Sequence, residues 1–466
     1  MENLLCGAAK GKITPPQELL PDLRGLMDRH FGGVLDDLFL RVISLKNGDD
    51  AQLLITFDLD KVPCPDRYLK ALSACTGVPE NNILLAAIHT HTAPVAGNRV
   101  NEGPNNLLNK PTHVQEATHR YEDYIQEILT ATATEAVAKM APARMGVGRG
   151  QSYINVDRKQ RYEMEEEDGS LHGKYAIGQD FESSIDHTVY LMRFEDLDGK
   201  PLAFFINYPV HCCVLNGFGA FNGDLGISGD IAGRVCAWNE ERYPDAVTLW
   251  CSGAAGDINP VMMYQLDYPD PKTGRMTHLS PKGDFYDVLT YLAAKHYDDI
   301  KKINRRVACT EGDVKLGCAV ELSETEGNFA PFKIRLHMMR LGQTYLLGAS
   351  GELYDVFAKD LRKSIPAREL ILINHDASQL GDGSYIVDDS ILCQNKPMLP
   401  GLMHANQKPG LFEPSFLALC RAMYEKLDPS AVDRDLGPGP GGLGGGPGSP
   451  GRGPMGGSGR GEKHDH

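Results

Sequence analysis

Four apolar runs in this chain each lead to a residue that can bind a metal or carry a proton, and this pattern constrains the fold more than any other feature. Ile83–Ile88 runs into His89-Thr-His91, and Leu202–Ile206 leads through Asn207-Tyr-Pro-Val to His211. Val247–Cys251 leads to Gly256-Asp257-Ile-Asn259, and Tyr345–Gly348 leads to Gly351-Glu352. An apolar run of this length, bounded by turn residues, reads as a buried strand. Further strands are expected over Leu38–Leu45, Gln52–Asp58, Thr188–Phe194, Phe332–Leu341 and Leu370–Asn374. Helical patterns cover Tyr121–Met140, Asp230–Glu241, Asp284–Lys302 and Leu353–Ser364. Strands alternating with helices predict an α/β fold with a mixed, partly parallel sheet and helices packed on it. In such folds the loops at strand ends collect the ligands, so a metal site is expected there.

One domain is expected over 1–436. From Gly437 to Gly461 the chain is mostly Gly and Pro, with almost nothing apolar to bury, so 437–466 is expected to be a disordered tail. Asn98–Thr118 is poor in apolar residues and reads as a long loop. A net charge of −15 argues against a nucleic-acid partner and against an anionic membrane surface, since both require clustered Lys and Arg. No apolar run approaches the roughly 20 residues that span a bilayer, and the first residues lack the basic and apolar regions of a signal peptide. The 11 cysteines form no CxxC pair and read as reduced thiols, which predicts a cytoplasmic protein. A small-molecule substrate is the expected partner, and the oligomeric state is left open.

The strand ends carry the chemistry. In an extended chain residues i and i+2 share a face, so His89 and His91 are expected to point the same way. Two converging imidazoles suit a metal ligand with an acid/base partner. A histidine pair with no shared task fits the same residues. His211 fits either a ligand or a hydrogen-bonded core histidine. The glycines of Gly253-Ala-Ala-Gly256 allow close backbone approach to a ligand, and a tight turn capped by Asp257 would look alike. Glu352 is expected to open a helix, where the dipole alone would favour it. Asp382-Gly-Ser384 reads as a turn presenting Tyr385. Together, two histidines and a carboxylate without cysteine suit zinc with an open position for water or substrate.

These segments, in this order, resemble the neutral (non-lysosomal) ceramidase family across most of the chain before the tail. Cys6–Pro15 is similar to the family's opening strand and Ile-Thr-Pro turn, and Val34–Arg41 to its next segment. The HTHTAP run from His89 resembles the family's HTHSGP, and GDINP from Gly256 resembles its GDVSPN. The resemblance implies a zinc ion held by His89, His211, Glu352 and Tyr385, with His91 as the catalytic partner beside it. It also implies a substrate-contacting Arg158, and it aligns Asp230 with a family Ser-Asp pair. Arg158, Asp257 and Asn259 are expected at the substrate, with Arg158 and Asn259 also assisting catalysis. Asn259 stands where the family has serine, and neither the family's C-terminal immunoglobulin-like domain nor its secretion signals have a counterpart here. The expected function is zinc-dependent hydrolysis of an amide bond in a small, polar substrate by metal-activated water. A zinc esterase on the same scaffold and a non-catalytic metal-containing binding module are the alternatives.

Overall fold

A computed structural model describes residues 4–97, 106–165, 168–270, 272, 275–279, 283–377, 385–392 and 406–431. The tail expected at 437–466, the turn at 382–384 and the first part of the expected loop, 98–105, lie outside the described residues. The fold is mixed α/β, as the alternation of runs predicts.

Eight strands form the larger sheet: β1 (Leu5–Lys12), β3 (Phe39–Asn47), β4 (Asp50–Phe57), β5 (Ile83–Ala87), β6 (Ala141–Gln151), β9 (Thr188–Asp196), β10 (Pro201–Tyr208) and β12 (Val247–Ser252). Their spatial order is β12-β10-β9-β6-β1-β3-β4-β5. A second sheet has the order β16-β17-β18-β20, from Leu316–Thr325, Phe332–Leu341, Thr344–Ala349 and Glu369–Ile373. Between the sheets lies an apolar layer that includes Ile43, Leu54, Met192, Phe205, Leu249, Met339, Leu346 and Ile371. The larger sheet's other face is covered by α1 (Pro65–Thr76) and α2 (Thr112–Ala138) on one half, and by α3 (Asp230–Arg242) and α4 (Phe285–Asn304) on the other. The second sheet is covered by α5 (Asp355–Ser364) and α7 (Phe412–Leu427), with the short α6 (Asp389–Leu392) beside them. The layers run helix, sheet, sheet, helix. This explains why the strands read as nearly continuous apolar runs: both of their faces are buried.

Most neighbouring strands are antiparallel, but β4 with β5, β10 with β12, and β18 with β20 are parallel. The first two pairs lie at opposite edges of the larger sheet. The sheet curls, β12 approaches β3, β4 and β5, and a bridge between Thr90 and Cys212 joins the segments that follow β5 and β10. The second sheet docks its own parallel pair at the same place: Asn374 N donates to Ser252 O and Ala377 N to Leu85 O. Three parallel pairs thus end in one spot.

Shorter pairs complete the frame. The hairpin β7 (Asn155–Glu165) and β8 (Leu171–Asp180) carries β13 (Ile258–Pro260) on its edge. The others are β2 (Phe31–Val34) with β11 (Leu225–Ile227), β14 (Leu266–Pro269) with β15 (Met276–Leu279), and β19 (Glu352–Leu353) with β21 (Tyr385–Ile386).

Two expectations need correction. The loop read over Asn98–Thr118 ends early, because α2 starts at Thr112, just after Pro111. Val114, Ala117, Thr118 and Tyr121 are buried at helical spacing, and the polar residues between them face outward. Glu352 does not open a helix. It lies in β19 beside Tyr385, and α5 begins at Asp355. No helix among the described residues is long and apolar enough to cross a membrane.

Candidate metal centre

The ends of the three parallel pairs bring together Asp60, His89, His91, His211, Glu352 and His375. All are buried except His91, which is half-buried. β5 stops at Ala87, and His89 takes a left-handed backbone, φ 63°, which a non-glycine residue adopts only when its surroundings impose it. His89 and His91 do converge, but through this turn and not through strand alternation. Their Nε2 atoms are 3.3 Å apart.

Backbone acceptors fix which nitrogen of each ligand-type ring is free. A carbonyl oxygen can only accept, so His89 Nδ1 carries the proton donated to Asp60 O at 3.0 Å, and His211 Nδ1 the proton donated to Ile258 O at 3.1 Å. Both Nε2 atoms then face the cluster. His91 Nδ1 faces Asn216 Oδ1 at 3.3 Å, which turns its Nε2 the same way. Metal-binding histidines are oriented by second partners of this kind.

Glu352 Oε2 lies 3.4 Å from His89 Nε2 and 3.3 Å from His211 Nε2. His211 Nε2 and Glu352 Oε2 are nevertheless buried without a hydrogen-bond partner. An ion bound tetrahedrally at about 2.0–2.1 Å separates its ligand atoms by about 3.3–3.4 Å. The donor set therefore fits a zinc-sized ion, and the two orphaned atoms are those such an ion would satisfy. His89 lies steeply to His91 (88°) and to His211 (72°), so lone pairs in those ring planes can meet. His375 also brings a donor atom near His89 and Glu352. Its ring, however, stacks on His89 at 3.9 Å and 14°. This stacking makes His375 a wall of the site beside His89, and its Nδ1 is also buried with no hydrogen-bond partner.

The electrostatics favour a cation. Burial would lower the His89 pKa, but the carboxylates of Glu352 and Asp60 outweigh it and raise it to about 10, so Nε2 holds a second proton at the place where a bound cation would displace it. Burial would raise Glu352, yet His89 and His211 hold it well below the usual carboxylate range. Burial, aided by the charge of His89, lowers His91 to about 4, and burial with the charge of Arg158 lowers His211 to about 3. Both rings are neutral at pH 7 and can offer a lone pair.

Of the other expected residues, Tyr385 pairs in register with Glu352 and its ring centroid is 6.2 Å from that of His211. Burial and then the Glu352 charge hold its phenol above the ordinary range. Arg158, on β7, places its guanidinium 4.7 Å from the Tyr385 ring centroid. Its Nη1 donates to Asn259 Oδ1 at 3.4 Å, its Nη2 to Gly256 O, and its Nε is buried with no partner. Asn259 is buried, and its Nδ2 points at Met263 Sδ, 3.0 Å away. Asp257 is engaged on both oxygens, by Asp355 N at 2.8 Å and by Lys159 Nζ. The glycine turn before it does allow a close approach, to Glu352 itself: a Cβ on Gly256 would collide with the Glu352 carbonyl oxygen. Asp230 heads α3, where its Oδ2 accepts from Leu215 N and burial raises its pKa to about 6.

Asp60, Asn216 and His375 are members the strand-end pattern did not single out. Asp60 and His375 carry the same signal, each following an apolar strand by two or three residues.

No family model and no curated protein matches the chain. Solved structures do. Neutral ceramidase from Pseudomonas aeruginosa superimposes with a TM-score of 0.65 at 14% identity, over 92% of this chain and 75% of that one. A ceramidase complexed with C2 gives 0.68 at 14% identity, over 92% and 76%. The chain shares its fold with neutral ceramidase. This agrees with the family resemblance of the HTHTAP and GDINP segments.

Proposed function

We propose that this protein is a zinc-dependent hydrolase that cleaves an amide bond of a small, polar substrate. The observation that carries this reading is the donor set His89 Nε2, His211 Nε2 and Glu352 Oε2. Glu352 Oε2 lies 3.3–3.4 Å from both nitrogens, and it and His211 Nε2 are buried with no hydrogen-bond partner. The fold shared with ceramidases, which act on an amide, supports the bond type. Tyr385, beside Glu352, is assigned as the fourth ligand.

His89, His211, Glu352 and Tyr385 would hold the zinc ion, which when bound would supply carbonyl polarisation and a water of pKa lowered towards about 7. The chain's own groups do the rest. His91, neutral and half-buried beside His89, takes a proton from the attacking water and returns it to the leaving nitrogen. Arg158 stabilises oxyanion charge with its unpaired Nε–H. Asn259 orients Arg158 through its Oδ1 and, having no hydroxyl, takes no nucleophilic part. The guanidinium of Arg158, with its Nε buried and unpaired beside Tyr385, suits a polar substrate better than a long-chain lipid. A reducing, cytoplasmic setting fits the described cysteines, all of which are free thiols.

Elemental analysis of purified protein, followed by turnover of a panel of amides and the matching esters, tests the reading. About one zinc per chain and turnover of small polar amides are expected. A chain without transition metal that gains no activity with added zinc rejects it. Efficient turnover of detergent-dispersed ceramide rejects the polar-substrate part, and faster ester cleavage favours the esterase alternative.

A further inference from the structure

Behind the wall of the metal centre lies a second group of reactive side chains. Cys318 on β16 and His337 on β17 share a face of the second sheet, since Cys318 pairs with Met339 and His337 is two residues away. Cys318 Sγ is 3.1 Å from His337 Nε2. His337 Nδ1 is 3.2 Å from Asp376 Oδ2, and Arg335 Nη1 lies 3.2 Å from the same oxygen. His337 and Asp376 are buried, whereas Cys318 is half-buried, so reagents can reach the sulfur and leave its partners dry. Thiol, imidazole and carboxylate stand in line, the arrangement in which a base activates a nucleophile and a third group orients the base.

We propose that Cys318 is an activated thiol that reacts with hydroperoxides and other small electrophiles, with His337 as its base and Asp376 as the residue that positions His337. The thiol proton has two destinations, the carbonyl of Asn81 and His337 Nε2. Passing it to Nε2 creates the thiolate. Burial opposes a charged His337, but the charges of Cys318 and Asp376 prevail and raise its pKa to about 9. Among the described residues, Cys6, Cys236, Cys212, Cys251 and Cys420 have no such partner arrangement, and burial raises each of them above the ordinary thiol range. With hydrogen peroxide the thiolate attacks one oxygen, an S–O bond forms and the O–O bond breaks. The departing hydroxide takes the proton from His337 Nε2. Sulfur is oxidised to a sulfenic acid and the peroxide is reduced to water.

Cys75 supplies an internal control. It is exposed, and its sulfur faces the carbonyls of Leu72 and Thr130. The full chain is treated briefly with limiting iodoacetamide at about pH 6, where an unassisted thiol of pKa about 8.5 is almost wholly protonated. Peptide mass spectrometry then gives the rate at each cysteine. Cys318 is expected to react at least about tenfold faster than Cys75; equal or slower reaction overturns the proposal. Hydrogen peroxide with a dimedone trap should mark Cys318 and spare Cys75, and an unmarked Cys318 removes the hydroperoxide chemistry. In His337→Gln the preference for Cys318 should vanish while Cys75 keeps its rate; a retained preference overturns the role of His337. If that variant does not fold, the ratio in the unmodified chain decides alone.

Discussion

Two of the buried charged clusters in this protein are built on different terms. Beneath α3, Arg41 is sandwiched between Asp58 and Glu240. Its Nη1 reaches both Asp58 oxygens at 2.9 Å and its Nε reaches Glu240 Oε1 at 3.0 Å. Asp58 also accepts from Phe39 N, and Glu240 from Thr248 N and Lys10 Nζ. Two cations face two anions and the carboxylates are saturated, so the cluster closes on itself. At the strand ends His89, His211 and Glu352 are equally buried but stop short of one another, and two of their polar atoms have no partner. An unsatisfied buried polar atom costs about 1–3 kcal/mol. A chain that bears such a cost at three converging strand ends is arranged for something that is not protein. Burial and charge are alike in the two clusters, and what separates them is completeness.

Substitutions sharpen this contrast. His211→Ala should have the largest effect: bound zinc falls from about one per chain towards zero and turnover falls to background, measured by elemental analysis and initial rates. Retained zinc would show that the open cluster closes without His211. His91→Ala should keep the zinc while lowering kcat by about 10²–10⁴, the usual worth of a positioned acid/base. Loss of metal here would instead place His91 among the ligands, a result its 3.3 Å spacing from His89 would then explain. Arg41→Met tests the closed cluster. It should cost about 3–5 kcal/mol in denaturant unfolding, because two buried carboxylates lose their partner, and leave zinc per folded chain unchanged. A large loss of zinc in that variant would mean that the clusters are not separate. Asp60→Asn should have the smallest effect, weakening zinc by about 10–100-fold in a competition titration, since Asp60 only orients and polarises His89.

Much of this was legible in the amino-acid sequence because the informative strands are buried on both faces. The expected Ile83–Ile88 became β5 at Ile83–Ala87, and Val247–Cys251 became β12 at Val247–Ser252. The hairpin β7–β8 was not legible, since Asn155-Val-Asp-Arg-Lys-Gln-Arg161 mixes charge with β-branched residues and has no apolar face to read. β16 hid for the same reason, with Glu321, Glu324 and Thr325 along its outer positions. His89, His91, His211 and Glu352 were legible as residues at strand ends. Their geometry was not, because it depends on the sheet curling until strands from opposite edges meet. His375 carried the same signal as His211, an apolar strand with a histidine just beyond it, and a search restricted to strand ends would have found it.

The gathering of ligands from three separate parallel pairs also has a consequence for biosynthesis. A nascent chain that has emerged as far as His211 holds three of the histidines but lacks Glu352, Tyr385 and the second sheet that seats them. On the proposed reading such a chain would bind zinc weakly, and contacts of such long sequence separation slow the completion of the fold. Capture of the ion is therefore a report that the whole domain has been made and closed. Cells starved of zinc should accumulate this protein folded but idle, because the closed cluster at Arg41, the apolar layers and the helices complete the scaffold without the metal.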